Sequence, residues 1–355
     1  MSEPVTGYRA DEQLPLICAP SYDPRMTDVV HEGPSLMTQA ARLYFDRQQS
    51  KVEIAAALGI SRFRVARLIA RALETGMVRI EYRDMPTSDR ALATTIEERF
   101  GLYMCVVAGQ SSDVGDVARL AASIVDDLVG PDDVVGIAWG STLATVVAAI
   151  PHRDEPSIAV VQLAGSSIRY GREQDPGELA RLLAERWGAS FHPLFAPAFV
   201  DDRALRDGLM QHPELAATAA MFERLTMAII GIGAIGTTPE GSSLVRSGTL
   251  TPGVVEQLVS DGVVGDLLLH PVGVDGGFPA TDLASRAMSI SVDALRAVPR
   301  VVAVAAGAVK GDAILGALRS GIVRILVTDT AAARAVIAAD GVPAGHRPSH
   351  AGRLA

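Results

Sequence analysis

The chain has 355 residues, 48% hydrophobic and only 5% aromatic, with a formal net charge of −9. That length allows one large or two ordinary domains, with a core built from Ala, Val, Leu and Ile rather than from rings. No apolar run reaches the roughly 18–20 residues that span a bilayer, Met1–Val30 lacks a signal sequence's apolar stretch, and two cysteines, Cys18 and Cys105, make neither a disulfide framework nor a metal site, so we expect a soluble, cytoplasmic protein with no metal, no cofactor and no membrane contact.

Residues 1–33 are proline-bearing and aperiodic and read as a disordered tail. Leu36–Asp46 reads as a first helix, with Leu36, Ala40, Leu43 and Tyr44 apolar. The stretch Lys51–Ala70, KVEIAAALGISRFRVARLIA, then has the spacing of a helix-turn-helix. Ile54, Ala55 and Leu58 line one side of a short helix, and Ala55 is small where a second helix crosses. Gly59 breaks the helix where a tight turn needs positive φ. Ile60 plugs the core, Ser61 caps the next helix, and Val65, Leu68 and Ile69 face inward.

The outward face of that second helix carries Arg62, Phe63, Arg64, Arg67 and Arg71. Arg64, Arg67 and Arg71 recur at helical spacing and share a side. In a helix-turn-helix the start of the second helix enters the major groove, where arginine reads guanine or holds phosphate. The bland alternative is a solvated basic helix. From Leu36 to Arg83, nine basic residues stand against four acidic ones, a net of +5 on a chain of −9. One end of the molecule is therefore suited to a polyanion. Ser61, Arg62, Phe63, Arg64, Arg67, Arg71 and Lys51 are the candidate DNA contacts. Gly76 is positioned to end the second helix, and the alternating Met77–Arg83 predicts a small strand, a wing. The polar break Asp84–Asp89 places a boundary near residue 88. A DNA-binding domain over 34–88 and a second domain over 89–340 follow, with a Pro- and Gly-rich mobile tail over 341–355. Arg90–Phe100 reads as the helix that leads into the second domain.

Beyond residue 101 apolar strands alternate with helices. Predicted strands are Met104–Ala108, Val134–Ala138, Ile158–Leu163, Met227–Ile232, Val301–Ala305 and Ile322–Thr328. Predicted helices include Val117–Val129, Leu143–Ala149, Glu178–Trp187 and Ala313–Arg319. Near-continuous apolar strands suit a parallel sheet buried on both faces, so the larger domain is expected to be doubly wound α/β. Ligands of such sheets sit beyond the C-terminal strand ends.

At those ends lie short polar stretches. Gly140, Ser141 and Thr142 read either as a phosphate cradle at a helix start or as simple capping. Gly165 and Ser166 follow another strand. GIGAIG, Gly231–Gly236, superficially suits a dinucleotide fingerprint, but no helix opens on its glycines and we reject nicotinamide binding. Ser242 and Ser243 are further candidate contacts. Asp266, after a short apolar run, either binds ligand hydroxyls or caps a turn. Beyond Gly307, Lys310 stands near the start of a helix, either aimed at an anionic ligand or simply at the surface. Only Lys51 and Lys310 are lysine in a chain with 32 basic residues, which favours a specific use for each.

Taken together, IAAALGISRFRVARLIARALETGMVRI, VVGIAWGSTL, VVQLAGS, AIIGIG, LVRSGTL, GVVGDLLL and VPRVVAVAAGAVKGDAILGALRSGIVRILVTDT resemble the SorC family of sugar-binding transcriptional regulators over about residues 35–340. The resemblance implies a phosphosugar-isomerase-like effector domain, a phosphorylated sugar or polyol as effector, operator DNA as partner, and a homo-oligomer, dimer or tetramer. It carries Gly140, Ser141 and Thr142 to the phosphate side, and Gly165 to the glycine after the VVQL strand. Asp266 corresponds to the acid on the sugar hydroxyls, and Gly307 and Lys310 to the pocket's glycine-lysine segment. Ala306 stands where the family often has a second glycine, and LLLHPVGVDGGFP departs from the family's usual stretch. The alternative is an enzyme, a phosphosugar isomerase or related transferase with an appended DNA-binding module. Asp266 would then be its base, with no evident histidine partner, because Pro271 predicts a loop around His270. A third reading is a DNA-binding scaffold whose effector pocket has degenerated.

Overall fold

The structure, a computed structural model, describes residues 35–47, 49–78, 88–109, 113–171, 174–236, 238 and 241–341. The chain forms two compact units that divide between Asp84 and Met85. The predicted N-terminal tail, all of the predicted C-terminal tail but Gly341, and all but the first two residues of the expected wing lie outside the described residues.

The first unit holds α1 (Leu36–Phe45), α2 (Lys51–Leu58) and α3 (Arg62–Glu74). Each starts on a serine. Ser35 caps α1, and Ser61 caps α3 through the Arg64 N–H at 3.2 Å. At α2, Ser50 and Glu53 form a reciprocal capping box. Gly59 ends α2 at φ +64°, in the left-handed region where only glycine is unstrained. The turn this permits lets Ala40, Ile54, Val65 and Ile69 meet in a small core, with Ala55, Leu58, Ile60 and Leu68 packed around it. The spacing read as a helix-turn-helix falls on α2, this turn and α3.

The second unit opens on α4 (Arg90–Phe100). A sheet of β1 (Met104–Ala108), β2 (Val134–Ile137), β3 (Ala159–Gln162), β4 (Ser190–His192), β5 (Met227–Gly231), β9 (Arg300–Val304) and β10 (Ile325–Asp329) forms its centre. All pairings are parallel, in the order β1-β10-β9-β5-β2-β3-β4. The helices that connect them include α5 (Val114–Leu128), α6 (Ser141–Ala149), α7 (Pro176–Trp187), α8 (Arg203–Met210), α9 (Pro213–Phe222), α14 (Gly311–Arg319) and α15 (Thr330–Asp340). Strands β2 and β3 are buried at every residue, as an interior parallel sheet demands. From β2 the chain winds outward through β3 and β4; from β5 it winds the other way through β9 and β10. The switch point of the sheet therefore lies between β2 and β5.

A second sheet was not predicted: β6 (Gly233–Ala234), β7 (Val263–Leu267) and β8 (His270–Gly273) pair antiparallel in that order. Short helices flank it, α10 (Ser243–Arg246), α11 (Pro252–Ser260), α12 (Asp282–Ser285) and α13 (Val292–Ala297). Three expectations are corrected here. Asp266 lies inside β7, not after a strand. His270 and Pro271 form β8, not a loop; β8 is an edge strand, where a proline's missing N–H is tolerated. The strand expected from Ile322 starts only at Ile325, because Gly321 and the turn after α14 precede it. Ile322 and Val323 are buried all the same, so their apolarity reflects packing and not pairing.

Candidate functional site

Beyond the C-terminal ends of β2, β5 and β9 lies a cleft of about 210 Å³. It stands at the switch point of the sheet. Gly140, Ser141, Thr142, Asp266 and Lys310, five of the eight residues expected at an effector, line it together.

The first wall is the start of α6. Strand β2 runs through Ala138, Trp139 and Gly140 into the helix, and Gly140 takes φ +113°. No side chain caps α6, so the capping alternative for Ser141 and Thr142 does not hold. The first backbone N–H groups of a helix have no partners within it, and the helix dipole adds positive potential there. Arg246, at the end of α10, reaches the Ser243 Oγ at 3.1 Å and the Ser141 Oγ at 3.4 Å. Trp139 forms part of the wall and stacks on Tyr170, ring centroids 5.8 Å apart.

The lining also holds Asp266 and Lys310. Asp266 is 6% exposed. Burial pushes its carboxyl up to about 6, against the opposing pull of the Lys310 ammonium, the Leu269 N–H and the Ser242 hydroxyl. Lys310 Nζ donates to the Ile232 carbonyl at 2.8 Å. Burial lowers its pKa, the Asp266 carboxylate counters this, and the Arg246 guanidinium adds to the lowering. Gly233 makes room for the carboxylate: a Cβ there would stand 2.1 Å from Asp266 Oδ1. Of the GIGAIG glycines only Gly233 serves this approach; Gly236, at φ +87°, packs against Val259 instead.

Three expected residues stand outside this lining. Gly165 packs against backbone, with the Pro197 carbonyl 2.2 Å from where its Cβ would be. Ser166 Oγ donates to Asp175 Oδ1 at 3.1 Å. Gly307, at φ +95°, donates its N–H to Asp329 Oδ2 at 2.9 Å and turns the chain that delivers Lys310. Lining residues that were not among the expected contacts include Arg246, Trp139 and Leu268. Arg246 stands in the quoted stretch LVRSGTL but is one of many arginines, so its type gave no signal. Leu268 and Leu269 occupy a two-residue hairpin turn at φ +51° and +71°, both buried. That turn normally advertises itself with Asn-Gly, and here it does not. His270 is buried away from the cleft lining, its Nε2 2.7 Å from the Ile290 carbonyl and 3.2 Å from Ser289 Oγ.

On the first unit, Arg62, Phe63, Arg64, Arg67 and Arg71 are all exposed along α3. Ser61 is committed to its cap. Lys51 Nζ sits 5.7 Å from the centroid of the Tyr44 ring. Among the described residues no group of three or more His, Cys, Asp or Glu is placed to hold a metal, and no helix is long and apolar enough to cross a membrane.

A parallel α/β unit with a polar cleft at its switch point defines a small-ligand-binding domain. Within that class the chain belongs to the sugar-binding domain family (Sugar-bind), which matches residues 84–338. Its relatives include the sorbitol operon regulator of Klebsiella pneumoniae, 27% identical over 83% of this chain and 95% of that protein. The erythritol catabolism regulatory protein EryD of Brucella abortus is 29% identical over 85% and 96%. The crystal structure of the full-length sorbitol operon regulator SorC from Klebsiella pneumoniae superposes with a TM-score of 0.65, at 26% identity, over 85% of this chain and 98% of that one. The relatives are transcriptional regulators of the SorC kind and not enzymes.

Proposed function

We propose that this chain is a DNA-binding transcriptional regulator of carbohydrate metabolism whose operator affinity is set by a phosphorylated sugar or polyol. The observation that carries the effector is the presence of two unlike sets of groups in the lining of one cleft. The uncapped start of α6, with Ser141, Thr142 and Arg246, suits a phosphate. Asp266, an acceptor when ionised, suits hydroxyls, and Lys310 adds a second cation. Helix α2, its turn and α3 act as the helix-turn-helix, with α3 as the recognition helix. A homo-oligomer, dimer or tetramer, then places two such helices on half-sites about 34 Å apart or a multiple of that. The relatives, a sorbitol operon regulator and an erythritol catabolism regulatory protein among them, support a polyol or sugar class. The enzyme alternative lacks a base–acid pair: His270 is held by Ile290 and Ser289, away from the cleft lining.

The test is fluorescence anisotropy of the full chain on DNA from upstream of its own gene, at several salt concentrations, with unrelated DNA as competitor. Binding that survives competitor and changes when phosphosugars are titrated in supports the reading. Equal affinity for every DNA, with one common salt slope, counts against it. Arg64→Ala and Arg67→Ala should each cost about 1–3 kcal/mol of operator binding if the arginine reads a base. Unchanged affinity in both would remove α3 as the recognition helix.

A further inference from the structure

Phe63 is the second residue of α3 and 68% exposed. It takes no part in the core of Ala40, Ile54, Val65 and Ile69. It precedes buried Val65 by two residues, about 200° of helical rotation, so it points away from that core. Arg67, four residues on, shares its side of the helix. The Arg62 guanidinium carbon lies 4.9 Å from the Phe63 ring centroid, and Arg64 follows directly. An exposed aromatic ring thus sits among the exposed arginines of α3, where a solvated helix would carry a polar residue.

The partner of such a ring follows from the chemistry of DNA. The phosphate backbone offers it nothing apolar. On the floor of the major groove the thymine C5-methyl is the apolar group. The first turn of a recognition helix is the part that reaches base edges, and Phe63 is in that turn. We propose that Phe63 reads a thymine in each operator half-site through its methyl group. The Arg62 guanidinium, held over the ring, enters the groove with it as one unit. This inference rests on the DNA-binding reading above and specifies what that reading leaves open, a base the operator must contain.

The experiment starts by selecting sequences from random DNA with the full chain. Each thymine of the enriched site is then replaced in turn by deoxyuridine, which lacks only the methyl. Affinity is measured by anisotropy for the wild type, Phe63→Ala and Phe63→Leu. One thymine per half-site should be sensitive, with deoxyuridine weakening wild-type binding about threefold to tenfold, the scale of one buried methyl and its packing. In Phe63→Ala, thymine and deoxyuridine should bind alike at that position, while Phe63→Leu keeps part of the difference. Thermal melting of both variants should match the wild type, because the side chain is outside the core. A wild type indifferent to deoxyuridine at every thymine overturns the proposal, as does a sensitive thymine that is equally sensitive in Phe63→Ala. Failure of the selection to enrich any sequence overturns the DNA-binding reading itself, and this inference with it.

Discussion

Asp266 is where the chemistry of the cleft is most finely balanced. Its carboxyl is buried in β7 and pushed up to about 6 from an ordinary 3.8. A carboxyl whose folded pKa is raised binds its proton more tightly in the native state. Its contribution to stability is therefore full below about pH 4 and is lost as pH rises through about 6. Between pH 7 and pH 5 the ligand-free wild type should gain about 1 kcal/mol relative to Asp266→Asn, read by urea denaturation at both pH values. Parallel pH dependence in the two proteins would show that Asp266 is ionised throughout. Effector binding needs a separate control, since a phosphate monoester itself titrates near pH 6; the part that vanishes in Asp266→Asn belongs to the protein. Residues of this kind were legible in the sequence when their type was rare or their neighbours small. Lys310 is one of two lysines, and Gly140-Ser141-Thr142 follows a clear strand. Arg246 was hidden among arginines. Gly165 and Ser166 stand outside the cleft lining, and at Gly165 close backbone packing by itself selects a small residue.

Among the elements, the β7–β8 hairpin is the one the sequence conceals. LLLHPVG contains no turn signal, yet the chain reverses at Leu268 and Leu269 with both at positive φ. A left-handed conformation costs an L-residue about 1–2 kcal/mol. Leu269 is fully buried, and loss of a buried leucine costs about 2–5 kcal/mol. Packing should therefore win over backbone relief. Leu269→Gly is expected to lower stability by about 1–3 kcal/mol in urea denaturation, although glycine suits the turn better. A more stable variant would mean that strain dominates the site. The parallel strands posed no such difficulty, except the short edge strand β4, which was not predicted; interior strands must be apolar at every position and therefore stand out as runs. The helices at their ends were equally plain, though each starts two or three residues before its apolar face suggested: α5 at Val114, α6 at Ser141, α7 at Pro176 and α14 at Gly311.

For the whole molecule, the change of pattern near residue 88 and the reversal of charge separate a small basic unit from a larger acidic one, and the chain divides between Asp84 and Met85. If the basic unit binds operator and the cleft binds effector, each ligand acts on the other's affinity by the same factor. A coupling of about 1–3 kcal/mol changes operator affinity roughly 5- to 150-fold, and operator must change effector affinity equally. Isothermal titration of the effector into the free chain and into the operator complex measures the second factor; anisotropy with and without effector measures the first. The two should agree. Lys310→Met should weaken effector binding while leaving operator affinity without effector unchanged, because the residue lies in the second unit's cleft. An effector that binds with the same affinity to free and operator-bound protein would carry no regulatory information, however tightly it bound, since only unequal affinity for the two states shifts them.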